Sequence, residues 1–92
     1  MIRSFIHKGL ENFYYTGSKA GIQAKHADKL RRILTVLDSA MQPKDVNLPG
    51  YRLHQLQGER QTMWSVTVQA NWRVTFRFVE GDVELVNYED YH

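Results

Sequence analysis

Residues 64–79 read Trp64-Ser65-Val66-Thr67-Val68-Gln69, then Ala70-Asn71, then Trp72-Arg73-Val74-Thr75-Phe76-Arg77-Phe78-Val79. Both runs alternate apolar and polar side chains, and a short turn separates them. Side chains along a strand point to opposite faces in turn, so this alternation describes a hairpin with one buried and one solvated face. Trp64, Val66 and Val68 share a side with Trp72, Val74, Phe76 and Phe78. The other side carries Ser65, Thr67, Gln69, Arg73, Thr75 and Arg77. A surface so rich in aromatic and β-branched groups needs a cover.

The cover lies upstream. From Ala24 to Met41 the apolar positions Ala27, Leu30, Leu34, Leu37 and Met41 recur every three or four residues, with Ile33 beside them. That spacing predicts an amphipathic helix whose opposite side, with Lys25, Asp28, Lys29 and Arg32, is solvated. Residues 8–15 predict a shorter helix with Leu10, Phe13 and Tyr14 on one side, interrupted at Thr16-Gly17-Ser18. Met1–Ile6 reads as a first strand. Pro43 and Asn47-Leu48-Pro49-Gly50 break the pattern into a loop. Strands follow at 51–56 and, after the turn Glu80-Gly81-Asp82, at 83–88, where Val83 and Leu85 join the core. Leu53 belongs with the core too, leaving Arg52 and His54 on the polar side. The expected fold is α+β, with two N-terminal helices packed on one face of a curved, mostly antiparallel sheet. One domain over residues 1–92 is expected.

Composition narrows the function. A chain of 92 residues, 42% hydrophobic and 12% aromatic, can build one modest core and is not disordered. It has no cysteine, which removes disulfides, thiolate catalysis and cysteine zinc sites. No apolar run approaches the ~20 residues that span a bilayer. Met1-Ile2-Arg3-Ser4-Phe5-Ile6 is too short and mixed for a signal peptide, so a soluble cytoplasmic protein without membrane contact is expected. Residues 1–60 hold ten Lys and Arg against five acids, a balance of +5, whereas residues 61–92 hold two against five, a balance of −3. The basic part can attract phosphate.

His54 and Arg73 fall on one polar sheet face by periodicity alone. The chain closes on Tyr88-Glu89-Asp90-Tyr91-His92, so a turn after the last strand would bring a carboxylate, a phenol and an imidazole over that face. Histidine titrates near neutrality and serves as base or acid. Arginine matches phosphate oxygens and supplies fixed positive charge. RNA carries its own nucleophile, the 2′-hydroxyl. One histidine can take that proton, another group can protonate the leaving 5′-oxygen, and Arg73 can hold the phosphate. This needs no metal, cofactor or protein nucleophile. His54, Glu89, Asp90 and His92 are able metal ligands, but no H-E-x-x-H or H-x-H pair occurs. There is no G-x-S-x-G elbow and no glycine-rich phosphate loop.

The segments Ile2-Arg3-Ser4-Phe5, Lys8-Gly9-Leu10, Tyr51-Arg52-Leu53-His54-Gln55-Leu56-Gln57-Gly58-Glu59-Arg60, Trp64-Ser65-Val66, Asn71-Trp72-Arg73-Val74-Thr75-Phe76 and Asn87-Tyr88-Glu89-Asp90-Tyr91-His92 resemble the HigB toxins of the RelE/ParE superfamily. The resemblance implies a RelE-like fold and a ribosome-dependent mRNA endonuclease acting in the A site. It also implies a HigA-type antitoxin, a helix-turn-helix protein through which the toxin reaches operator DNA. The family's catalytic set falls on His54, Arg73, Asp90, Tyr91 and His92. Arg52, Gln57 and Arg77 are the expected RNA contacts, Gln57 standing where several HigB toxins have a lysine. Two other classes remain open: a ParE-like topoisomerase poison, which lacks the histidine-rich site, and a non-catalytic RNA- or ribosome-binding module.

Overall fold

The hairpin forms where the alternation puts it. In a computed structural model describing residues 1–60 and 62–91, β1 (His54–Gln55), β2 (Trp64–Gln69), β3 (Trp72–Val79) and β4 (Asp82–Asp90) make one antiparallel sheet in sequential order. The helices α1 (Lys8–Thr16) and α2 (Ala27–Ser39) cover its apolar face. The expected α+β architecture is the observed one.

Local chemistry sets the helix ends. His7 caps α1 by accepting the Leu10 amide on Nδ1 at 2.9 Å. Gly17, at φ 80, ends α1 in a left-handed turn whose amide returns to the Phe13 carbonyl. Gly9 and Gly21 let two backbones cross, since a Cβ on Gly9 would lie 2.3 Å from the Gly21 carbonyl oxygen. Leu30, Ile33 and Leu37 of α2 are fully buried with Val74, Phe76 and Val83 of the sheet. Each such side chain contributes about 1.5–3 kcal/mol over an exposed one.

The molecule departs from the periodic reading in five places. The predicted first strand is a pair of parallel bridges, Ile2 to Val83 and Phe5 to Val86, laid along the outer edge of β4. The strand expected at 51–56 contracts to His54–Gln55, because Gly50 (φ 84) and Arg52 (φ 51) turn the backbone before it. Helix α2 stops at Ser39 rather than Met41. Ala40 is extended, so Met41 leaves the apolar stripe and is 70% exposed. Pro43 disfavours helix at the residue before it.

The other two departures are bulges. Pairing shifts between Thr67 and Gln69, so Gln69 faces Trp72 and turns to the helix side, not the polar side. Pairing shifts again between Thr75 and Arg77, with Leu85 at φ 56 as the extra residue on β4. The Leu85 amide is satisfied by Ser4 Oγ at 2.9 Å. From there the phase of β4 reverses: Val86 and Tyr88 are buried, and Leu85 is not the fully buried core residue expected.

Candidate active site

Directly paired residues of an antiparallel ladder share a face. On the side away from the helices, His54, Ser65, Thr75 and Asn87 form one row across the sheet, and Thr67, Arg73 and Glu89 form the next. This face is not uniformly open. Ser65 and Thr75 are buried in its middle, beside a salt bridge between Arg60 and Glu89.

The end of the face toward β1 holds a cavity of about 320 Å³, lined by Arg52, Leu53, His54, Ser65, Thr67, Arg73 and Tyr91. Each lining residue has a structural reason to be there. The Tyr51 carbonyl accepts the Thr67 amide at 2.7 Å, holding the chain against β2. Arg52 follows in a left-handed conformation that costs a non-glycine residue about 1–2 kcal/mol. His54 pairs with Ser65 and is exposed. Arg73 donates through Nη1 to the Ala70 carbonyl at 2.5 Å and the Trp72 carbonyl at 3.2 Å, which fixes one edge of its fork. Tyr91 extends the ladder by donating its amide to the Asn71 carbonyl at 2.7 Å. That bond docks the tail.

His54, Arg73, Tyr91 and Arg52 therefore come together. Asp90 does not join them: it pairs with Trp72 and sits on the helix-side phase. Gln57 is exposed between β1 and the turn Gly58–Arg60 and does not line the cavity. Arg77 shares the face of Arg73, but its Nε donates to Glu84 Oε1 at 2.8 Å, so its charge is already committed. His92 lies outside the described residues.

Sequence reasoning missed Arg60 and Glu89. Both guanidinium nitrogens Nη1 and Nη2 of Arg60 donate to Glu89, at 3.0 and 3.1 Å. Those hydrogen bonds, opposed by burial, raise Arg60 above the ordinary arginine range. Only the bulge at Leu85 puts Glu89, and not Asp90, on this face, and alternation carries no sign of it.

The cavity lining holds two arginines and no carboxylate among the described residues. Such a lining favours an anion with planar or tetrahedral oxygens, which arginine forks match. Among the described residues no three His, Asp or Glu side chains gather where a metal ion could be held.

The chain matches, over residues 3–92, the HigB-like toxin family, described as the RelE-like toxin of the type II toxin–antitoxin system HigB. It belongs to that family. The chain is 45% identical to Endoribonuclease HigB of Proteus vulgaris over 92 residues, the full length of both proteins. It is 33% identical over 94 aligned positions to Toxin HigB-1 of Vibrio cholerae serotype O1, covering all of this chain and 98% of that one. A HigB-like toxin of a type II system has an antitoxin as its partner. Among the described residues no helix is long and apolar enough to cross a membrane.

Proposed function

We propose that this HigB-like toxin is an endoribonuclease that cleaves mRNA in the ribosomal A site through the RNA's own 2′-hydroxyl. The observation that carries the reading is the shared cavity of His54, Arg73 and Tyr91, an imidazole and a phenol beside an arginine fork. The Proteus vulgaris relative, named as an endoribonuclease over its whole length, supports it.

In this mechanism Arg73 holds the non-bridging oxygens of the scissile phosphate, where negative charge builds as the 2′-oxygen attacks. One imidazole of the pair His54 and His92 removes the 2′-hydroxyl proton. The O2′–P bond forms, the P–O5′ bond breaks, and the other imidazole protonates the leaving 5′-oxygen. The products are a 2′,3′-cyclic phosphate and a 5′-hydroxyl. No metal, cofactor or protein nucleophile enters the scheme. Tyr91 hydrogen-bonds the phosphate from the docked tail. Asp90 acts through that tail, which its backbone pairs to Trp72. Arg52 and Gln57 contact phosphates on either side. Glutamine donates a hydrogen bond without neutralising charge, so Arg52 and Arg73 carry the electrostatic work.

The protein acts in the cytoplasm. Its partner is a HigA-type helix-turn-helix antitoxin, and it reaches operator DNA only through that partner. Mapping mRNA 5′ ends on translating ribosomes after brief expression tests the proposal, with new ends expected inside A-site codons. A message carrying a deoxynucleotide at the scissile position should survive intact. Its cleavage would rule out the internal nucleophile.

A further inference from the structure

Glu89 stands directly opposite Arg73 in the β3–β4 ladder. Facing side chains at such positions have Cβ atoms about 5 Å apart, close enough for a cross-strand ion pair. No such pair forms. Glu89 gives one oxygen each to Nη1 and Nη2 of Arg60 at 3.0 and 3.1 Å, and its Oε2 also accepts from Asn87 Nδ2 at 3.0 Å. Arg73 instead donates to the Ala70 and Trp72 carbonyls, and among the described residues no carboxylate pairs with it.

We propose that Arg60 is a positioning residue: by engaging Glu89 from the turn Gly58–Arg60, it keeps Arg73 available to an RNA phosphate. The inference rests on the reading that Arg73 holds phosphate. A carboxylate and a phosphate compete for the same planar fork. A fork offered from outside the sheet captures the carboxylate first, with both hydrogen bonds satisfied. Without it, Glu89 keeps only the neutral donors Asn87 and Thr75, and its uncompensated charge closes onto the facing Arg73. Arg60 thus acts on the RNA site through Glu89, without touching RNA.

The test uses a labelled, fully 2′-O-methylated RNA hexanucleotide, whose blocked 2′-oxygens cannot attack. Fluorescence anisotropy follows its binding over a salt series to the unaltered chain and to R73A, R60A, E89Q and R60A/E89Q. R60A is expected to weaken binding about ten-fold, the scale of one charge-assisted hydrogen bond. Its slope of log affinity against log salt should become shallower by about 0.7, the loss of one single-strand phosphate contact. R60A/E89Q should regain both affinity and slope. R60K, which keeps the charge, should bind close to the unaltered chain. The Nε–Hε resonance of Arg73, read without RNA, should move in R60A and return in the double variant.

Equal impairment of R60A and R60A/E89Q would overturn the proposal, because Arg60 would then contact RNA or merely hold its turn. An unmoved Arg73 resonance in folded R60A would overturn it independently. R73A binding as tightly as the unaltered chain would instead remove the phosphate-holding role of Arg73. The resonance would still decide whether Glu89 is captured.

Discussion

The two faces of this sheet hold the same chemistry in opposite conditions. On the helix side, buried His26 bonds Tyr88 Oη through Nδ1 at 2.5 Å and Gln69 Oε1 through Nε2 at 2.9 Å. Trp72 stacks against Tyr88 with centroids 4.6 Å apart. Burial pushes the Tyr88 phenol up, so it stays neutral. On the other side, His54 and Tyr91 are exposed beside Arg73 and face a cavity. A histidine with both ring nitrogens bonded to its own protein has nothing left for a substrate. Residue type does not distinguish the two sites; the availability of their polar atoms does.

The sharpest way to break the contrast is to alter the cavity face alone. R73A or H54A should lower mRNA cleavage in a translating extract by about 10²–10⁴-fold. Its urea midpoint should stay near that of the unaltered chain. Cleavage within two-fold would take that residue out of the site.

The helix face should give the mirror result. H26A removes the buried imidazole that bonds the Tyr88 hydroxyl and opens a cavity beneath Trp72, costing about 2–4 kcal/mol in chemical unfolding. Cleavage per folded molecule should persist. A stable but inactive H26A would show that His26 belongs to the chemistry after all.

The smallest effect concerns His7, whose imidazole burial holds below the ordinary histidine range. Its Nδ1 accepts the Leu10 amide, so the neutral ring is the capping form. The folded state then binds fewer protons than the unfolded state. Its contribution is fully present above the unfolded value of 6.5 and is lost as pH falls below it toward the folded value. Thermal midpoints read at pH 7.5 and 5.5 should show this loss. In H7N, which caps without titrating, it should shrink. An equal acid loss in H7N would place its origin elsewhere.

How much was legible in the sequence follows from how each part is encoded. The hairpin Trp64–Val79 was legible because its alternation spans both strands, and it placed Arg73 on the polar face, where the phase of Leu53 also put His54. The α2 stripe was legible for the same reason at helical spacing. The phase of the tail was not. Unbroken alternation from Val83 would put Asp90 on the face of Arg73. The bulge at Leu85 puts Glu89 and Tyr91 there instead. A bulge depends on a distant partner, here Ser4 Oγ, 81 positions away, and no local pattern announces it. Arg60 escaped notice likewise, since its partner is 29 positions away.

The parallel bridges that join Ile2 to Val83 and Phe5 to Val86 also impose an order on biosynthesis. Ile2 and Phe5 precede β4 by some eighty positions and find their neighbours only after it has emerged, and Ser4 seats the kink that aims Tyr91 at the cavity. A nascent chain carrying everything through β3 has the imidazole and the guanidinium but neither the kink nor the phenol. The cavity is therefore complete only once β4 has found partners on both of its edges.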